Sequence, residues 1–292
     1  MAFGHQTLDT ARMSRWCLIA MMLLASCGAP TPPPEANDEP RIISLSPGIT
    51  GTLEDVGLGP YLVGRSNWCR TRTRDIEDIP AVGDLHERNW EAILRIRPTH
   101  VFFQAEDVKT DQALVELAER HGWQLRAWPL RTVSEIQQVL VDLPAVIEFQ
   151  DEQLQDGLAS RCDQLVTSTS NSIRPVDIAS GRRVLLINDG LPPLAWCEDS
   201  YLGELLEATG AENVAGQGGW KLLSMEDVVR LQPDLVFVVS EQETDSPPAI
   251  LSGSGNAIQP EQCLQLVHPR INLPGPHLAE TSSRMRVLLS GG

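Results

Sequence analysis

Two tryptophan–cysteine pairs, Trp68-Cys69 and Trp196-Cys197, set thiols beside flat aromatic rings. Paired thiols can close a disulfide, thiolates can hold a soft metal, and the echo can also arise by chance. Trp220 adds a third stacking surface, His86 adds an imidazole that suits iron, and Glu106 and Glu241 add carboxylates just after two apolar runs. No catalytic residue suggests itself. The chain lacks GxSxG, HExxH and P-loop patterns, and Gly253-Ser254-Gly255 has no third glycine in a strand-turn-helix setting.

The elements that must position these groups announce themselves through a repeated phrase. Asn89-Trp90-Glu91, running to Arg95, Pro98 and Val101-Phe102-Phe103, returns as Ser224-Met225-Glu226, running to Arg230, Pro233 and Val236-Phe237-Val238. Each copy reads as a capped amphipathic helix with a glutamate in its first turn, a proline stop and a buried strand. Helix leading into buried parallel strand is the unit of an open α/β sheet, and two copies predict two such sheets facing across a cleft.

Before the globule, Arg12 and Arg15 precede an apolar run from Trp16 to Ala25, then Ser26 and Cys27. That run is too short to span a bilayer, which needs roughly 18 apolar residues, so residues 1–26 read as an export signal. Leu24-Ala25-Ser26-Cys27 resembles a bacterial lipobox, which makes Cys27 the lipidated first residue of the mature chain. Residues 27–40 are rich in proline and poor in apolar groups, an extended tether.

Charge narrows the partners. A formal net charge of −16 and an isoelectric point near 4.7 exclude nucleic acid, whose phosphates require a basic face. Setting aside Cys17 and Cys27, Cys69, Cys162, Cys197 and Cys263 remain, and their pairing is not fixed by sequence. No close metal-ligand spacing occurs among them, and any metal ligands stay unknown.

Strands are expected at 41–45, 62–64, 124–128, 183–188 and 236–239, with Ser46 to Gly51 as a turn feeding a helix that ends near Gly57. The helix start puts backbone amides of Ser46 and Gly48 at the sheet's carboxyl edge, facing a ligand. Pro144 is expected to break the helical stretch from Val133, leaving a spine helix over 144–171 between lobes at 41–143 and 172–292. The loop 189–200 would carry Trp196, the Ser-, Gly- and Pro-rich stretch 241–259 would be exposed loop, and the last helix would run from His277. The fold class is therefore α/β, two Rossmann-like lobes with mainly parallel sheets joined by one long helix.

Arg41-Ile42-Ile43-Ser44-Leu45-Ser46-Pro47, Leu58-Gly59, Leu62 to Ser66, Val82-Gly83, Arg97-Pro98 and Gly210 to Val214 together resemble the helical-backbone, class III substrate-binding proteins of ABC importers for iron-siderophores, haem and cobalamin. The resemblance implies a ligand held between the lobes and handed to an ABC permease dimer with its ATPase. It implies a protein exported to the periplasm or the outer face of the cell membrane, with no intrinsic cofactor and a metal-bearing cargo. Glu91 and Glu226 match the glutamates that meet permease arginines. Trp68 and Trp220 match aromatic contacts of cobalamin-binding members, where a further tryptophan stands in place of Leu85 and His86 here. Glu106 and Glu241, in so acidic a chain, would favour a cationic or metal-bearing ligand, and His277 falls near a pocket loop. A tethered sensor or carrier without an ABC partner and a metal-cofactor enzyme are the competing readings.

Overall fold

The structure, a computed structural model, describes residues 39–69, 74–84, 86–253, 255 and 257–291. The export signal, Cys27, most of the proline-rich tether and Leu85 lie outside them. In the first lobe, strands β1 (Ile42–Ser44), β2 (Leu62–Arg65), β3 (His100–Gln104) and β4 (Gln124–Trp128) form a sheet ordered β2-β1-β3-β4. All three pairings are parallel. The crossovers are α1 (Pro47–Asp55), α2 (Trp90–Ile96) and α3 (Gln112–His121).

Alternation along these strands sorts side chains to two cores. Val101 and Phe103 of β3 go to one face with Ile43, Val82 and Ile93. Phe102 goes to the other, in a cluster that continues through Val139 and Leu143 of α4 (Val133–Val146) to Leu186 and Phe237 of the second lobe. Both faces of the sheet are covered, which is why its strands read as continuous apolar runs.

The second lobe builds a six-stranded mixed sheet. Its strands are β5 (Arg183–Asn188), β6 (Leu194–Trp196), β7 (Glu212–Asn213), β8 (Trp220–Leu222), β9 (Leu235–Ser240) and β10 (Cys263–Val267). The order is β10-β9-β5-β6-β8, with β7 beside the start of β5. Strands β10, β9, β5 and β7 are parallel, whereas β6 and β8 form an antiparallel ribbon. Helices α6 (Tyr201–Glu207), α7 (Met225–Leu231) and α8 (Leu278–Leu289) complete the lobe.

Between the lobes runs α5 (Glu152–Ser172), 21 residues or roughly six turns, packed against α4 on one side and α8 on the other. Gln137 donates to Thr169 Oγ1 at 3.1 Å, and Ser282 donates to the Ser172 carbonyl at 2.8 Å. These bonds tie the spine to both lobes. Its start differs from expectation: α4 continues through Pro144 to Val146, and the break falls at 147–151. Proline in the last turn removes only one helical donor, so it does not end the helix there.

Three further readings are corrected. Residues 189–200 are not a plain loop but contain β6, which puts Trp196 in a strand. The stretch 241–259 contains a short helix, Ala249–Gly253. Edge strand β10, which follows it, was not anticipated; its half-exposed burial pattern explains the weak sequence signal.

Candidate functional site

The carboxyl edges of both sheets face a cleft of about 500 Å³. The first lobe lines it with Pro47 and Gly48 at the start of α1, Gln104 at the end of β3, and Leu130 beyond β4. The turn into α1 is held from within. Ser44 donates to the Ser46 carbonyl at 3.0 Å, and Pro47 stands in the first helical turn, where its missing N–H costs nothing. A Cβ on Gly48 would sit 2.8 Å from the Pro274 carbonyl oxygen of the other lobe. Only glycine permits this approach. Leu130 adopts φ 60°, a left-handed backbone rare for a bulky residue, and such strain collects at functional clefts.

The second lobe supplies the aromatic wall. Trp196 of β6 pairs in register with Trp220 of β8, and Tyr201 opens α6 behind them, its ring 6.1 Å from Trp220. Tyr201 donates its hydroxyl to the Ile271 carbonyl at 3.1 Å, and burial pushes its phenol up. The Trp196 indole nitrogen lies close enough to ease that titration but makes no hydrogen bond of proper geometry. Gly203 lets α6 abut the β6–α6 connection, for a Cβ there would overlap the Cys197 carbonyl. Asn188, Leu194 and Asn272 to Pro274 close the wall.

Two of the sequence-selected groups that line this cavity are tryptophans, Trp196 and Trp220, and a third is Gly48; Ser46 stands just behind, its hydroxyl 3.4 Å from Gln104 Oε1. The others sit elsewhere. Trp68 is 67% exposed on the loop after β2, where its indole donates to Asp84 at 2.7 Å. Asp84 also accepts the His86 backbone N–H at 2.7 Å, and the amides of Glu87 and His86 hold its carboxyl below the usual range. His86 is exposed on that turn. Glu106 pairs with Arg131, which also bonds Glu135 at 3.1 Å, so this carboxylate is neutralised at the rim. Glu241 accepts from Asn272 Nδ2 at 3.2 Å and thus props a wall residue without lining the wall itself. His277 is buried beneath the loop, stacked on His268 with ring centroids 4.9 Å apart.

Cys69, Cys162, Cys197 and Cys263 are free thiols, with no bond between the two Trp-Cys pairs. Burial raises all four, Cys162 to about 11, so they are held as neutral thiols. Among the described residues no group of three His, Cys, Asp or Glu side chains is placed to hold a metal.

Sequence reasoning missed Gln104, Leu130, Asn188, Tyr201 and Asn272. Gln104 and Asn188 are the final residues of apolar strands, and that position is the signal that could have found them.

Glu91 and Glu226 are exposed in the first turns of α2 and α7. Each helix is joined to its strand by only a few residues and must run back along it, which turns its amino end toward the sheet's carboxyl edge. Glu91 pairs with Arg95 at 2.5 Å, both well exposed.

Residues 42–120 match the family described as periplasmic binding protein. The high-affinity heme uptake system protein IsdE of Staphylococcus aureus (strain Newman) is 23% identical over 227 residues, 75% of this chain and 74% of that one. The periplasmic heme-binding protein RhuT from Roseiflexus sp. RS-1 superposes with a TM-score of 0.62 at 20% identity, over 87% of this chain and 98% of its own. The periplasmic vitamin B12 binding protein BtuF of Vibrio cholerae does so with a TM-score of 0.61 at 21% identity, over 85% and 96%. Over residues 42–120 the chain matches the periplasmic binding protein family, and over both lobes it has the fold of these two-lobed binding proteins.

Proposed function

We propose that this protein captures a metal chelate, a corrinoid, haem or ferric siderophore, and delivers it to an ABC permease. The observation that carries the reading is the cleft itself: two sheet edges, one from each lobe, close on an apolar cavity with an aromatic wall of Trp196, Trp220 and Tyr201. Flat macrocycles gain from such walls through stacking and apolar burial. The curated relative is named for haem uptake and the structural relatives for haem and vitamin B12 binding, which supports the same ligand range.

Delivery is assigned to the twin helices. Glu91 and Glu226 stand at equivalent places, each followed three residues on by an exposed apolar side chain, Leu94 and Val229 at 37% and 40% exposure. A carboxylate beside an apolar patch, presented once per lobe, suits a two-fold partner with arginines. In this reading Cys27 carries lipid and tethers the protein to the membrane, while Trp68 and His86 belong to the rim.

The test is uptake in cells together with ligand binding in solution. The double variant Glu91→Arg/Glu226→Arg is expected to bind ligand as the parent does and to lose at least about tenfold in uptake, the scale of charge reversal at a docking site. Full uptake by that variant ends the docking assignment.

A further inference from the structure

Among the described residues that line the cleft none is charged, and apart from the aromatic N–H and O–H groups their polar side chains are carboxamides. Each amide's orientation is fixed by a partner whose role is unambiguous. Gln104 Nε2 donates to the Pro129 carbonyl at 2.9 Å, Asn188 Oδ1 accepts the Leu194 N–H at 2.8 Å, and Asn272 Nδ2 donates to the Glu241 carboxylate. What each has left therefore follows. Asn188 keeps a donor, Asn272 an acceptor, and Gln104 an acceptor engaged only by the long Ser46 contact.

Two charges near the rim, Arg131 and Asp199, are already committed. Arg131 is held by Glu106 and Glu135, and Asp199 accepts the Gly218 and Gly219 amides at 2.8 Å each. A carboxylate or catecholate pushed into this cavity would lose its water and meet no cation among the described lining residues. Among the described residues the wall also offers no imidazole, thiolate or carboxylate to a metal, and its one hydroxyl, on Tyr201, is spent on Ile271. A bound metal must arrive with its coordination complete. Glu106 and Glu241, read from sequence as drawing a cationic ligand, are here engaged by Arg131 and Asn272.

We propose that the cleft selects a planar chelate whose inserted face is uncharged and bears carboxamides, as a corrinoid does, over a propionate-bearing porphyrin or an anionic ferric catecholate. Amide side chains present donors and acceptors together, matching Asn188, Asn272 and Gln104, while the macrocycle covers Trp196 and Trp220. The inference rests on the reading of the protein as a metal-chelate carrier.

Calorimetric titration of the purified protein with cyanocobalamin, haemin and a ferric tris-catecholate tests it. Cyanocobalamin should bind at least about 100-fold more tightly than either anion, the discrimination that unmatched buried polar groups produce. Asn188→Asp keeps the acceptor for Leu194 and replaces the donor by a charge, so it should weaken cyanocobalamin at least about tenfold while the variant stays folded by circular dichroism. Haemin or the catecholate binding as tightly as cyanocobalamin overturns the selection and leaves the carrier reading standing. Failure of the folded protein to bind any of the three overturns both.

Discussion

The two lobes use the same frame and furnish it differently. In α2 the Asn89 side chain caps the Ala92 N–H, and Arg97 ends the helix at φ 53°; in α7 Ser224 caps Asp227 and Gln232 ends it at φ 47°. A proline follows each, and a buried strand follows that. A left-handed residue before proline suits both neighbours, since proline disfavours the right-handed helical region just ahead of it. At the carboxyl edge the likeness stops. The first lobe offers a tight turn, one amide and a strained leucine, whereas the second inserts the β6–β8 ribbon and its two tryptophans. In the proposed reading duplication sets where a ligand sits, and recognition lies where the copies differ.

Tryptophan replacement should break that comparison most visibly. Trp196 is 4% exposed and belongs to the continuous core, so Trp196→Ala is expected to cost about 3–5 kcal/mol in chemical denaturation. Trp220 is only partly buried, and Trp220→Ala should lower ligand affinity by about thirtyfold, roughly 2 kcal/mol, with a much smaller loss of stability. Trp68→Ala in the first lobe should change affinity less than about threefold, because that ring stands mostly in solvent. Equal losses from Trp68→Ala and Trp220→Ala would mean that both lobes contribute aromatic walls.

How much of this could be read in the chain depends on whether a residue's neighbours in sequence decide its role. The repeated helix-strand unit was legible because caps, prolines and apolar runs are local. Strands β6 and β8 were not, since three residues carry too little periodicity and their pairing is made across loops. Pro144 misled because its effect depends on how many turns remain after it. Glu106 and Glu241 were correctly placed after strand ends, but their direction is set by Arg131 and Asn272, which are far away in sequence. Gln104, Asn188 and Asn272 have no motif at all, because amides become a site only when the fold gathers them.

The lobes meet most closely at Gly48, and that contact sharpens the comparison next. In Gly48→Ala the new methyl would meet the Pro274 carbonyl and ring, at 2.8 and 2.9 Å. Because the obstacle is backbone, the lobes must shift, and a loss of about 1–3 kcal/mol is expected from the denaturation midpoint. Gly51→Ala, one turn on, would meet only an Arg270 guanidinium nitrogen at 3.7 Å and serves as the control. The Arg270–Asp55 ion pair at 2.6 Å spans the same junction and holds it in register. A Gly48→Ala protein as stable as the control would show that the lobes separate freely.

The smallest expected effect separates the lobes by acid. His100 begins β3 and His268 follows β10; burial is the first cause that lowers both, and both are nearly enclosed. A histidine depressed in the folded state contributes stability that is present above its unfolded value, near 6.5, and lost as pH falls through the folded one. Stability should therefore fall by on the order of 1 kcal/mol from pH 7.5 to 5.5, measured by urea denaturation. Glu204 acts in the opposite sense, because burial raises it, and offsets part of this loss where the two windows overlap. The two histidines should not share the loss equally. The His268 Nδ1 accepts the Arg270 N–H at 3.1 Å, which leaves Nε2 to donate to Glu280 at 3.2 Å, and that carboxylate offsets part of the burial. His100 has a backbone carbonyl, Val146 O at 3.1 Å, and no carboxylate in hydrogen-bond contact. His100→Gln should accordingly flatten the pH slope more than His268→Gln, and the reverse order would place the acid-sensitive core in the second lobe, under the loop that shapes the ligand wall.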